Sequence, residues 1–210
     1  MEGKHHFGRR APSNPGVVGH SPAQMRNMSK FRDPEFVIFT GPMFGSKTSR
    51  LLAALTRCKY QNKDIVVFKP KIDERYSQNN IVTHGGTEWP ATNVSNGQEI
   101  LDLSGQSDVI GVDEAFMIEG SAEALVKLFK QGKTIFVSSI QLSATGQPFH
   151  EVKEMMPFAT KIEVCPAVCP HTQRDAYYTV RKKKNADEIS VGGAESYTPV
   201  CWEKAPFMRE

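Results

Sequence analysis

The chain of 210 residues contains no run of 18 apolar residues, so no segment is long and apolar enough to cross a membrane as a helix. Cysteine is scarce, confined to Cys58, Cys165, Cys169 and Cys201. No apolar signal-peptide core precedes them. A reduced, cytoplasmic protein is therefore the simpler expectation, with metal ahead of disulfide for the clustered thiols. A strong charge of one sign is also lacking, since the formal net charge is only +3. Residues 1–33 hold Lys4, Arg9, Arg10, Arg26, Lys30 and Arg32 against Glu2 and Asp33, which leaves the remainder at about −1. A basic body that tracks nucleic acid is not indicated. No internal repeat is present.

What is there reads as globular, 39% hydrophobic and 23% charged. Residues 1–33 are rich in Gly, Pro, Ser, Asn and His and poor in aliphatics, and are expected to be a disordered basic tail. A transit peptide is the competing reading, weakened by three prolines. From Glu35 onward strands and helices alternate. Phe36–Thr40 reads as a buried strand, and Ile65–Lys69, Val109–Val112, Thr134–Ser139 and Lys161–Val164 as further short strands. Leu51, Leu52, Leu55 and Cys58 share one helical face. Residues Glu119–Gln131 form a second helical pattern with Leu125, Leu128 and Phe129 inward. The expectation is an α/β fold with a mostly parallel sheet over 34–164, followed by a small hairpin module over 165–210.

The segment "TGPMFGSKT" lies between the first strand and the first helix. A phosphate-binding loop needs glycines so that backbone amides can converge at a helix N-terminus. It needs a lysine for the β- and γ-phosphates and a hydroxyl for Mg²⁺. Gly41, Lys47 and Thr48 stand in register for G-x-x-x-x-G-K-[ST], but Ser46 occupies the second glycine position. Gly45 is expected to absorb the backbone strain instead. The plainer alternative is an ordinary strand–helix turn capped by Ser46. A second element, "DVIGVDEAF", ends a strand in Asp113-Glu114. Asp113 stands where a strand-end carboxylate holds Mg²⁺, and Glu114 could accept a proton from a substrate hydroxyl. The plainer reading is an acidic pair capping a helix.

These residues resemble the thymidine kinase family of cytosolic, bacterial and bacteriophage type, from about Phe36 to Cys201. "GPMFGSKT" resembles the family's G-P-M-F-S-G-K-[ST] with serine and glycine exchanged. "KPKIDERYS" at 69–77 resembles K-x-x-x-D-x-R-Y-S, and "THGG" at 83–86 lies where the family has a Thr/Ser-His pair. "GVDEA" matches D-E-[AG]-Q-F as far as Ala115, and "VGGAESYTPVC" at 191–201 resembles I-G-G-x-x-x-Y-x-x-x-C. The resemblance implies phosphoryl transfer from ATP to the 5′-hydroxyl of thymidine with Mg²⁺, in nucleotide salvage. It also implies a homotetramer, and no nucleic-acid or membrane partner. It places Gly41, Pro42, Met43, Phe44, Gly45, Ser46 and Lys47 on the phosphates, and Thr48 and Asp113 on Mg²⁺. It makes Glu114 the catalytic base and puts Asp73 and Arg75 near the phosphate and hydroxyl end. Glu188, Ile189, Ser190, Val191, Gly192 and Tyr197 would form the loop that closes over the nucleoside.

The departures are local. Phe116 replaces the family's Gln, Gln141 replaces an Asp, and Ala144 replaces the Phe that stacks on thymine. Losing that ring removes about 1–3 kcal/mol if stacking there resembles base–aromatic stacking elsewhere, unless Phe116 refills the space. The family binds Zn²⁺ with two C-x-x-C pairs. Here the matching positions keep Cys169 and Cys201 but offer Thr172 and Lys204 for the other two. A Cys₃His set of Cys165, Cys169, His171 and Cys201 is the remaining zinc candidate, against a zinc-free tail in which Cys165 is a buried strand end. The "RKKK" run at 181–184 reads as a solvated hairpin tip. Two alternatives stay open beside a thymidine kinase: a relative with altered base preference, and a non-catalytic nucleotide-binding homologue.

Overall fold

Strand β1 (Phe36–Thr40) is buried along its whole length in the computed structural model, which describes residues 33–72, 79–83, 85–182 and 192–209. Helix α1 (Lys47–Tyr60) follows, then β2 (Ile65–Pro70). A hairpin of β3 (Asn80–Val82) and β4 (Glu88–Pro90) leads to β5 (Thr92–Val94) and helix α2 (Gly97–Ser104). Next come β6 (Val109–Val112), α3 (Ser121–Lys130), β7 (Thr134–Ser139), α4 (His150–Met155) and β8 (Lys161–Val164). The tail adds β9 (Ala167–Val168), β10 (Asp175–Ala176), β11 (Tyr178–Arg181) and β12 (Tyr197–Val200).

Six strands form one sheet in the order β5-β2-β6-β7-β1-β8, and every pairing in it is parallel. Alternate residues of β1, β2, β6 and β7 enter opposite cores, as the two-residue period of a strand requires, while β8 at the sheet edge is largely exposed. Val37, Phe39, Val67 and Phe136 pack with Leu51, Leu52, Leu55 and Cys58 of α1. Phe36, Ile38, Phe68, Ile110, Val112, Ile135 and Val137 pack on the other face with Ile100, Leu125, Leu128 and Met155. Helices on both faces explain why these strands read as continuous apolar runs. None of the described helices is long and apolar enough to cross a membrane.

The five strands expected from the sequence are present, β2 running one residue longer, to Pro70. The helix expected from Glu119 begins at Ser121, because Gly120 takes a left-handed φ of 73°. The sequence reading placed no element between Pro70 and Val109, where the structure has the β3–β4 hairpin, β5 and α2. Helix α2 carries a legible start: Asn96 accepts from the Glu99 amide at 3.0 Å, and Glu99 accepts from the Ser95 amide at 2.9 Å. The tail is two antiparallel hairpin pairs, β9 with β10 and β11 with β12.

Candidate active site

The loop between β1 and α1 is shaped by close packing. A Cβ built on Gly41 or on Gly45 would lie 2.3 Å from the carbonyl oxygen of Cys165. Only glycine fits at either place. Gly41 also takes φ 142°. The expectation for strain fails at Gly45, whose φ stays out of the left-handed region. The left-handed residues are Phe44 (φ 66°) and Ser46 itself (φ 58°). Gly45 answers to the Cys165 backbone, and Ser46 adopts the conformation that glycine would adopt more cheaply. Nor does Ser46 act as a capping side chain: it makes no cap hydrogen bond to the first turn of α1. That disfavours the ordinary-turn reading.

Lys47 is buried, and its ammonium donates to the Pro42 carbonyl at 2.6 Å, folding back over the loop. Thr48 Oγ1 donates to Asp113 Oδ1 at 3.1 Å, and Ser138 Oγ donates to the same oxygen. Asp113 is buried and fixed through its own amide, which donates to Phe68 O at 3.0 Å. Glu114 follows with φ 50°, a left-handed conformation in a non-glycine residue. Strain of this kind is retained where the surrounding structure over-determines it, and it clusters at functional sites. One cleft is lined by Met43 to Ser49, Lys69, Asn80 to Thr83, Asp113 and Glu114. It opens at the carboxyl ends of β1, β2 and β6, where parallel sheets bind ligands.

The structure thus brings Lys47, Thr48, Asp113 and Glu114 together. Sequence reading gave Lys69 no role beyond opening the K-x-x-x-D-x-R-Y-S match, and it missed Ser138 and the β3–β4 hairpin. Two signals were available for the first two: a lysine closing a buried strand, and a Ser138-Ser139 pair ending another. Gly192 and Tyr197 do not line this cleft. Tyr197 is buried at the start of β12, with its hydroxyl accepting from Arg181 Nη2 at 3.0 Å. Asp73, Arg75, Glu188, Ile189, Ser190 and Val191 lie outside the described residues, as do His84, Lys183 and Lys184. Phe116 is buried with its ring centroid 4.4 Å from that of Phe149, in a cluster with Ile140 and Val152 against which Met43 packs. Gln141 accepts from Thr40 Oγ1 at 2.7 Å.

The tail supports the loop. Met43 N donates to Thr179 Oγ1 of β11 at 2.9 Å, and Phe44 packs on the tail core of Ala167, Cys169, Ala176, Val200 and Cys201. The proposed zinc set is not assembled. Among the described residues no group of three or more His, Cys, Asp or Glu is placed to hold a metal. Cys165 belongs to the α1-side core, where its amide donates to Thr40 O at 2.7 Å. Burial, with Glu163 nearby, pushes its thiol up. Cys169 and Cys201 share the separate tail core, and His171 is exposed. Thr172 Oγ1 donates to Cys201 Sγ at 3.4 Å, so a hydroxyl stands beside the sulfur. Burial raises the Cys169 thiol, but hydrogen bonds from Thr172, from the Cys201 and His171 backbone and from Cys201 outweigh it and bring it down to about 6.

A family model described as thymidine kinase matches residues 35–204. The thymidine kinase of Porphyromonas gingivalis strain W83 is 33% identical over 165 residues, covering 78% of this chain and 81% of that protein. The thymidine kinase of Bacteroides thetaiotaomicron is 28% identical over 167 residues, covering 79% and 84%. The matched span contains the loop, Asp113-Glu114 and both tail hairpins, so the likeness covers the cleft together with its support. The chain belongs to the thymidine kinase family.

Proposed function

We propose that this cleft transfers the γ-phosphoryl group of ATP to the 5′-hydroxyl of thymidine, the family's reaction in nucleotide salvage. The observation that carries the reading is the Thr48–Asp113 hydrogen bond at 3.1 Å. It joins the loop hydroxyl to the strand-end carboxylate in a cleft that Lys47 and Glu114 also line. Lys47 and the first-turn amides of α1 take the triphosphate. The donor set suits Mg²⁺, since a hydroxyl and a carboxylate offer hard oxygen ligands. Thr48 and Asp113 would hold the ion, which neutralises phosphate charge when bound. Glu114 is the base that takes the 5′-hydroxyl proton. The rest of catalysis is positioning and electrostatic stabilisation of the transferring group. Closure over the nucleoside by Glu188 to Gly192 with Tyr197, and assembly into a tetramer, rest on family resemblance alone.

A second reading, altered base preference, rests on Phe116 and Ala144, which stand where the family pattern has Gln and Phe. Initial rates with each natural deoxynucleoside, ATP and Mg²⁺ separate the two. Thymidine is expected to be the best acceptor, and a clear preference for another base supports the second reading. Glu114→Gln should lower kcat by at least about 10²-fold, as removal of a general base does, with the melting temperature kept. Near-normal turnover in that folded variant overturns the base assignment.

A further inference from the structure

Lys47 is not the only buried lysine in the cleft. Lys69, near the carboxyl end of β2, is 5% exposed and lines the same cleft. Its direction follows from strand alternation. Val67 faces α1 and Phe68 faces the opposite core, so Lys69 returns to the α1 side. On β6 the same alternation puts Val112 in the opposite core and Asp113 on the α1 side. The pairing of Phe68 with Val112, and the hydrogen bond from Asp113 N to Phe68 O, make Lys69 and Asp113 neighbours across two strands.

Lys69 and Lys47 enter the cleft from different elements, the end of β2 and the start of α1. Two strands, β6 and β7, lie between β2 and the loop strand β1. In the sheet order Asp113 at the end of β6 thus stands between β2, which carries Lys69, and the loop strand β1, while Thr48, next to Lys47, reaches Asp113 itself. The charged residues among those described in the lining are Lys47 and Lys69 against Asp113 and Glu114, so the two signs balance before any ligand enters. Lysine is rarely this buried without an electrostatic reason, because desolvating an ammonium is costly. A methionine would fill the same volume without that cost. The charge that is new in the reaction appears at the acceptor: a neutral nucleoside becomes a phosphate ester.

We propose that Lys69 is a further phosphate-binding residue of the reaction, holding the transferred phosphoryl group on the acceptor side as Lys47 holds the triphosphate on the donor side. The inference rests on the phosphoryl-transfer reading above. In the step, the bond from the γ-phosphorus to the bridging oxygen breaks and its electron pair leaves with ADP. The 5′-oxygen forms the new bond to phosphorus, and its proton passes to Glu114. Lys69 contacts the non-bridging oxygens and takes no part in the proton transfer.

The test compares calorimetric binding of thymidine, thymidine monophosphate and ATP in the parent protein, Lys69→Met and Lys69→Arg. A lost charge-assisted hydrogen bond predicts that Lys69→Met weakens the monophosphate by about 10–100-fold. Thymidine and ATP should bind as before, kcat should fall at least tenfold, and the KM for ATP should be unchanged. Lys69→Arg, which keeps the cation, should recover part of the monophosphate affinity. Equal weakening of thymidine and its monophosphate would reduce Lys69 to a structural neutraliser and overturn the inference. So would loss of ATP affinity alone, or unchanged preference for the monophosphate. Failure of the parent protein to bind thymidine, its monophosphate and ATP would remove the phosphoryl-transfer reading itself, and this inference with it.

Discussion

Ser46 carries a side chain at φ 58°, where the family pattern has glycine. A left-handed conformation costs an L-residue about 1–2 kcal/mol, while glycine returns up to about 1 kcal/mol of that through the entropy of the unfolded chain. Ser46→Gly is therefore expected to stabilise the fold modestly, by about 0.5–1 kcal/mol, and to keep ATP affinity. Thermal unfolding and calorimetry check both. If the parent protein binds no ATP and the glycine variant does, the loop is a relic. Gly45→Val has the opposite outcome for a different reason. Its Cβ would sit 2.3 Å from a backbone oxygen, which has no flexible end to move away. ATP binding should be lost or weakened by more than about tenfold, with a lower melting temperature. At this scale Lys47, Thr48, Asp113 and Glu114 were legible because a fixed spacing marks them. Ser138 showed only as part of a serine pair ending a strand, and its tie to Asp113, 25 residues away, follows no local pattern.

Helix α3 begins on a carboxylate from another element. Glu151 of α4 is buried and accepts from the Gly120 amide at 2.9 Å and the Ala122 amide at 2.8 Å. Ser121 Oγ adds a bond to it at 3.3 Å. Four orphan amides open every helix, and here a neighbour supplies the acceptor that a local cap would normally give. Glu151→Ala leaves buried donors unsatisfied and should cost about 2–3 kcal/mol of stability, read in denaturant unfolding. Retention of full stability would mean that water replaces the carboxylate. The same scale separates what the sequence reveals from what it hides. Strands buried on both faces, such as Phe36–Thr40 and Thr134–Ser139, show as apolar runs because every residue meets a core. Strands β3 to β5 are three residues each and only partly covered, so neither alternation nor an apolar run marks them. Helix α2 has a capping signal, but eight residues give too few turns for its apolar stripe to stand out.

For the folded unit as a whole, the boundary expected at Cys165 runs through a contact rather than a linker. Cys165 presses its carbonyl on Gly41 and Gly45, Thr179 accepts from Met43, and Phe44 enters the tail core. The loop is thus clamped between the sheet and the tail hairpins, and two of its residues hold left-handed backbones there. A loop held this way is pre-organised, which lowers the ordering cost of binding an anion. Weakening the clamp should therefore weaken ATP without touching any group that contacts it. Thr179→Val removes the acceptor for Met43 N at nearly constant volume. It should reduce ATP affinity by about 3–10-fold, the effect of roughly one net hydrogen bond, while the melting temperature falls only slightly. Hydrogen exchange adds a reciprocal reading, since two events that favour the same arrangement must support each other. ATP should slow exchange at β11 and β12 in the parent protein, and that protection should shrink in Thr179→Val. If ATP protects only the loop and α1, the tail is a passive neighbour and pre-organisation by clamping is wrong. If Thr179→Val lowers stability and affinity in proportion, the hydrogen bond serves the fold and the loop inherits the loss.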